Sequence, residues 1–399
     1  FAGPGDLRTE TGSVRNCALR WRGSDVPAHP DDGFLAKVLA EENRGPRPRD
    51  NFPFMPSYGY HFDAHKLGHF LRDWATQRGV VHRPLRVTDV EQDAQPEIDA
   101  LLCEDGTRIE GDIFVDCSGF RSVLAQQTLG AQFIPFGENL FNDRAVVLPS
   151  AHSTRFKPQT DSIAMRAGWR WSIPLTTRVG NGYVYSSKYV SDEDAEAELR
   201  EAIWMQDEGE ARILEMRVGR IAETWTGNCL AVGLSQGFIE PLEATALHIV
   251  IATALDFADA YEKGGYGSAH RDMFNQHIAA KYEGIRDYIV AHYRLNQRSY
   301  TRYWRDNAAN EALSDNLKGM ITAWFTHKDL REVNLRQHDG NPHYASMSWH
   351  ALVAGYGTFP PEAKVVPTPT GLVTAEVDHT RRMLSACATN FLRYAPLSD

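Results

Sequence analysis

The stretch from Cys229 to Phe257 constrains the fold more than any other part of the chain. Cys229-Leu-Ala-Val-Gly233 is a short apolar run closed by glycine, which reads as a buried strand. A turn carrying Gly233, Gly237 and Pro241 follows, and then a long helical stretch that ends at Gly264-Gly265. Strand–turn–helix order aims the first backbone amides of the helix into the turn, where an anion or a polarisable ring can be held. Glycine and proline shape the approach to such a place. Glu240 and Glu243 lie in the same turn, where an acid either caps the helix in solvent or faces a ligand.

A second run of this kind is Asp112-Ile-Phe-Val-Asp-Cys-Ser-Gly119. Its apolar centre ends in Ser118-Gly119, as a buried strand does when its carboxyl end meets a ligand crevice. Before it, Asp63 can cap a helix whose apolar positions Leu67, Phe70, Leu71 and Trp74 keep helical spacing up to Gly79. A short strand over 80–90 and a hairpin of 98–103 with 108–116 about the Glu104-Asp-Gly106 turn are expected next. From 146 to 190 the texture is β, and Trp169 and Trp171, two apart, share one strand face. Paired tryptophans are either core or the wall of a pocket for a flat aromatic molecule. Helix is expected over 192–204. The stripes Ile278/Tyr282/Ile285/Ile289 and Val373/Val377/Leu384/Ala388/Phe391 make most of the remainder helical. The first sixty residues are weakly periodic, with Arg44-Gly-Pro-Arg-Pro-Arg49 expected to be a loop.

Charge and cysteine usage narrow the function classes. The chain has 399 residues, with 42 Lys+Arg against 52 Asp+Glu and a net charge of −10. That balance argues against nucleic acid as the partner, which would need clustered cations. No run nears the ~18 apolar residues of a membrane span, and no basic-then-apolar signal segment opens the chain. Five cysteines (Cys17, Cys103, Cys117, Cys229, Cys387) form no CxxC pair, so free thiols in a reducing cytoplasm are expected. Cys117 and Cys229 sit in apolar runs and read as small buried hydrophobes. The histidines show no metal-ligand spacing, and no metal site is expected.

Gly168-Trp-Arg-Trp-Ser-Ile-Pro174 resembles the GWxWxIP signature of the flavin-dependent halogenases, the tryptophan halogenase family. Gly233-Leu-Ser-Gln-Gly-Phe-Ile-Glu-Pro-Leu-Glu-Ala-Thr245 is similar to that family's flavin- and chloride-binding turn. Tyr60-His-Phe-Asp63, Asp116-Cys-Ser-Gly-Phe-Arg121, Tyr183-Val-Tyr-Ser-Ser187 and Ser348-Trp-His-Ala-Leu-Val-Ala-Gly355 extend the resemblance from about Tyr58 onward. It implies an α/β (α+β) fold of the glutathione-reductase flavoprotein type, with a β-sheet substrate region and a helical C-terminal lobe. The segments implied are an irregular 1–57, an FAD-binding lobe from 58–145 and 226–265, a substrate-facing sheet at 146–225 and helices at 266–399.

The implied chemistry is halogenation of an electron-rich aromatic, the class of reaction used in antibiotic biosynthesis. FAD reduced by a separate flavin reductase reacts with dioxygen to a flavin hydroperoxide, and chloride or bromide attacks it to give hypohalous acid. Ser118, Gly119, Gly233, Gly237, Phe238, Pro241 and Leu242 are then the cofactor residues, Thr245 and Ala246 the halide site, and Glu243 the catalytic acid. Trp169, Trp171, Ile173, Pro174 and Trp349 line the substrate pocket. The family's glycine loop and catalytic lysine are expected upstream of Phe1, since the opening residues look like the middle of a larger protein.

The family's Glu-Ser-Thr-Gly reads Glu243-Ala-Thr-Ala246 here, without a hydroxyl at 244 and without glycine's left-handed option at 246. The Tyr/Glu-rich clamp for the amino-acid end of free tryptophan is not recognisable between Phe325 and Met347, which points to an indole, a phenol or something larger. A flavin monooxygenase of the same fold and a silent aromatic-binding relative are the alternatives. The resemblance allows a homodimer.

Overall fold

The computed structural model describes residues 29–53, 56, 58–92, 97–151, 157–206, 208–338, 342–360 and 370–394. The fold is mixed α/β, and its residues gather into two compact units. One comprises the chain up to His61, Val146–Ile213 and Val290 onward; the other comprises Phe62–Ala145 and Leu214–Ile289.

The first unit is built on a sheet in which strand Gly168–Pro174 pairs antiparallel with Asp161–Met165 on one side and Val179–Tyr185 on the other. Helices from the C-terminal third close over it. Trp304 Nε1 donates to the Met165 carbonyl at 2.8 Å, and the Tyr189 hydroxyl donates to Asp306 at 2.8 Å. These bonds join the 146–213 segment to the late helices of the same unit.

Within the opening 1–57, expected to be irregular, the described residues hold regular structure. Leu35–Glu41 is a helix, and Arg44–Pro48, expected to be a loop, is a strand paired antiparallel with Phe391–Arg393. Local propensity misses it because its partner lies nearly 350 residues away and because prolines are tolerated only on such edge strands. Leu35, Leu39, Leu384, Ala388 and Phe391 pack together beside it. Phe391 therefore belongs to a strand rather than to the helix Thr370–Ala388, and the side chain of Val373 lies outside the described residues.

In the second unit a parallel pair, Phe114–Asp116 beside Cys229–Ala231, carries both turns singled out in the sequence. The expected hairpin forms between Ala100–Cys103 and Arg108–Glu110, with Asp105 accepting from the Thr107 amide at 2.9 Å. Asp63 caps helix Ala64–Thr76 by accepting from the amides of His65 and Lys66. None of that helix is buried: Phe70, Leu71 and Trp74 stand out in solvent. The strand expected over 80–90 is only Val87–Glu91, and Val80 and Val81 are exposed. Ile278, Tyr282, Ile285 and Ile289 are all buried on one face of helix Arg271–Arg294. Helix Asp192–Ala202, in the first unit, stops two residues before the expected Trp204.

Cys117 is a correction: the strand ends at Asp116, and the thiol is exposed rather than buried. Cys229 is buried, and that burial pushes its thiol up to about 12, far from nucleophilic use. No helix among the described residues is long and apolar enough to cross a membrane, and they contain no cluster able to hold a metal ion.

The start of the tryptophan strand is a backbone-to-backbone contact. A Cβ on Gly168 would lie 1.9 Å from the Val184 carbonyl oxygen, and neither partner can rotate away. Gly168→Ala should cost at least about 3 kcal/mol, at or beyond the upper range of overpacking. A chemical denaturation midpoint equal to wild type would show that the strands are not this close.

Candidate active site

In the second unit the site grows from the buried carboxylate of Asp116, 1% exposed at the end of its strand. One oxygen accepts from the Ser118 amide (2.9 Å), the Ser118 hydroxyl (2.6 Å) and the Ser235 hydroxyl (3.1 Å). The other accepts from the amides of Leu124 and Ala125, both at 2.9 Å. A carboxylate satisfied by five donors is a stable way to bury a charge. Since Ser235 sits on the other turn, Asp116 ties 116–125 to 233–236. Ser122 reinforces the tie by donating to the Ser235 carbonyl at 3.1 Å. Phe120 meets Phe238 edge to face at 5.6 Å.

Gly119 has a left-handed backbone, φ +75°, with open space where a Cβ would stand, which suits the close approach of a ligand. Gly237 differs: a Cβ there would lie 2.6 Å from the Gly219 carbonyl, so chain packing alone requires its glycine. Gln236 anchors the turn from below. It is fully buried and donates to the Thr253 hydroxyl at 3.0 Å while accepting from the Tyr282 hydroxyl at 3.3 Å. Burial raises the Tyr282 phenol well above its ordinary value, so it stays a donor.

Past Phe238 the chain places Glu240 entirely inside, where Asn142 donates to it at 2.6 Å. Glu240 is therefore neither a solvated cap nor a residue facing solvent. Pro241–Glu243 form a single 3₁₀ turn that leaves Leu242 and Glu243 half-buried. The left-handed residue is Ala244, φ 52°, and Ala246 is simply the first residue of helix Ala246–Lys263. Glycine's freedom is thus needed two positions earlier than the sequence comparison suggests, and alanine meets it at a cost of about 1 kcal/mol or more. Thr245 directly precedes the helix without capping it; its hydroxyl is buried and has no hydrogen-bond partner. An orphaned buried hydroxyl beside the free amides of an 18-residue helix fits an anion, halide included.

In the first unit Trp169 and Trp171 share a strand face, their ring centroids 6.1 Å apart at 56°. Trp169 is 4% exposed and Trp171 half-buried. The Trp169 indole N–H is buried with no acceptor, which a purely structural tryptophan would ordinarily have. Ile173 shares that face by alternation. Pro174 is buried, and its carbonyl is 3.0 Å from His61 Nδ1, whose other nitrogen is 3.0 Å from the Thr160 hydroxyl. Trp349 is buried in helix Ser346–Gly355. With Trp324, Phe325, Leu330 and Val353 it lines a small apolar cavity among late helices, to which the tryptophan strand contributes nothing.

Sequence reasoning passed over Asp116, Gln236 and Asn142 as ligand-positioning residues. The available signal was the Asp-Cys-Ser-Gly string, where an acid ending an apolar strand has to be paid for by donors. Asn142 sits in a loop without periodicity and carried no signal.

Comparison with known proteins shows the family. The profile of the family described as "Tryptophan halogenase" matches residues 8–368. The chain is 37% identical over 317 residues to the 7-chloro-L-tryptophan 6-halogenase KtzR of Kutzneria sp., covering 78% of this chain and 60% of that protein. It is 33% identical over 371 residues to the tryptophan 6-halogenase SttH of Streptomyces toxytricini, covering 91% and 69%. The crystal structure of SttH superposes with a TM-score of 0.84 at 29% identity, over 95% of this chain and 78% of that one. BrvH, a flavin-dependent halogenase from Brevundimonas sp. BAL3, superposes with a TM-score of 0.82 at 28% identity, over 95% and 77%. The chain thus spans between three-fifths and seven-tenths of the length of these two curated relatives.

Next to Trp349, His350 meets Trp324 edge to face at 5.6 Å, and burial lowers its imidazole below the ordinary value while Asp329 opposes the shift. Unfolding therefore takes up a proton once the pH falls below the unfolded value near 6.5. This contribution is complete above about pH 7 and is lost on acidification at up to about 1.4 kcal/mol per pH unit. His350→Phe should flatten that limb of the urea-midpoint profile between pH 7 and 5. A limb of unchanged slope would remove His350 as its source.

Proposed function

Because the chain belongs to the tryptophan halogenase family, we propose that it is a flavin-dependent halogenase that puts chloride or bromide onto an electron-rich aromatic ring. The observation that carries the reading is the Pro241–Ala246 turn, where a buried, partnerless Thr245 hydroxyl stands at a helix start. The Asp116-tied turns with Ser118, Gly119, Gly233, Phe238, Pro241 and Leu242 would hold FAD, with Gly237 keeping the turn packed. Bound reduced FAD would supply, with dioxygen, the oxidising equivalent that converts halide to hypohalous acid. A separate flavin reductase would deliver the reduced cofactor, in a cytoplasm that leaves the cysteines unpaired.

The chain's own residues then have distinct tasks. Thr245 and the amide of Ala246 hold the halide by donating to it, as a helix start does for any small anion. Glu243 orients the hypohalous acid by accepting its hydrogen. Trp169, Trp171, Ile173 and Pro174 form the aromatic face offered to the substrate, and the unpaired Trp169 N–H is a donor for a small acceptor there. The relatives named above act on tryptophan or chlorotryptophan. For this chain we propose an indole, a phenol or a larger aromatic rather than the free amino acid, since no Tyr/Glu clamp is recognisable between Phe325 and Met347.

The test is a mass-spectrometric search for halogenated product. It uses the full chain, FAD, a generic flavin reductase, chloride or bromide, and a panel of indoles and phenols with free tryptophan included. Product that forms without halide and carries oxygen would make it a monooxygenase. No product and no flavin-band change on mixing with FAD would make it a silent relative.

Glu243→Gln should lower product formation by about a hundredfold or more while FAD affinity stays unchanged. Retained turnover would remove Glu243 from the chemistry. Trp169→Phe should raise hydrogen peroxide release relative to product. An unchanged ratio would return the indole to a purely structural role.

A further inference from the structure

Two glycines stand where the tryptophan strand meets its neighbour Val179–Tyr185, one on each strand, and they differ in what they touch. Gly168 is pressed against backbone. Gly182, in strand Val179–Tyr185, stands directly across from Trp171 in the antiparallel register. A Cβ built on Gly182 would lie 2.0 Å from Cζ2, 2.2 Å from Cη2 and 2.6 Å from Cε2 of Trp171. All three nearest atoms belong to the indole and none to backbone. The indole therefore occupies the space that a side chain at 182 would fill.

The backbone conformation at this position does not call for glycine. Gly182 is an interior strand residue without left-handed backbone, where glycine weakens the strand and a side chain would ordinarily strengthen it. The neighbouring cross-strand partner, Val184 opposite Trp169, carries a full side chain. Gly180, opposite Ile173, is also glycine, but a Cβ there would meet nothing closer than 3.7 Å, so the conflict is confined to Gly182, across from the half-buried tryptophan of the pair.

We propose that Gly182 is a positioning residue of the aromatic wall: its missing side chain is the seat that fixes the orientation of the Trp171 ring relative to Trp169. The assignment rests on the reading of the tryptophan pair as the substrate-side wall. Filling the seat would push the indole off the sheet, changing the 6.1 Å, 56° arrangement of the two rings while leaving the strand pairing intact. The wall would then change its aperture without changing its composition.

The test compares Gly182→Ala with wild type, and repeats the pair in a Trp171→Ala background. Two indoles this close couple in their ultraviolet transitions, so circular dichroism in the indole bands and tryptophan emission report the ring arrangement without flavin or turnover. Gly182→Ala is expected to keep the wild-type melting temperature within a few degrees and to alter the indole signature. It is also expected to raise peroxide release several-fold relative to halogenated product. In the Trp171→Ala background, adding Gly182→Ala should change neither signature nor ratio. Indole spectra of Gly182→Ala that superpose on wild type would overturn the seat, as would an equal effect of the substitution when Trp171 is absent. Altered spectra with an unchanged peroxide-to-product ratio would overturn the wall role. A wild-type chain that makes no halogenated product on any panel substrate would count against the proposed function and against Gly182 as a wall residue. The spectra would still decide whether Gly182 orients Trp171.

Discussion

The Asp116 carboxylate is the interaction on which the second unit's site depends. A carboxyl group this deep is tolerable only when its oxygens are hydrogen-bonded, and five donors from three stretches of chain supply those bonds. Each donor is a positional constraint. The Ser118 and Leu124–Ala125 bonds fold the chain back on itself after the strand, and the Ser235 bond fastens that fold to a turn more than a hundred residues later. The open space over Gly119 and the path from Gly233 to Thr245 follow from this fastening. Remove that group, and two turns lose their common reference point.

The same economy appears in the first unit with apolar means. The tryptophan strand is held between partners on both sides, and the geometry of its face is decided by what is absent from the neighbouring strand. Gly168 buys close approach of main chains; Gly182 leaves room for an indole. The two glycines differ in consequence because backbone cannot yield and a ring can.

How much of this is legible in the sequence follows the range of the interactions. Asp63 as a cap, the Glu104-Asp-Gly106 hairpin and the stripe Ile278/Tyr282/Ile285/Ile289 are local patterns, and they fold as such. The tryptophan pair on one strand face is likewise a consequence of period two. What escapes is long-range: the pairing of Arg44–Pro48 with Phe391–Arg393 and the burial of Glu240 against Asn142. The helix of Phe70, Leu71 and Trp74 has the periodicity of a packed element, and periodicity alone does not say what, if anything, packs on it. At Ala244 the backbone conformation falls on a residue whose side chain gives no hint of it.

The union of Arg44–Pro48 with Phe391–Arg393 brings two remote stretches of chain side by side at the edge of the first unit. The chain leaves that unit after His61, returns at Val146, leaves again after Ile213 and returns at Val290. No single cut can therefore release either unit as a continuous polypeptide.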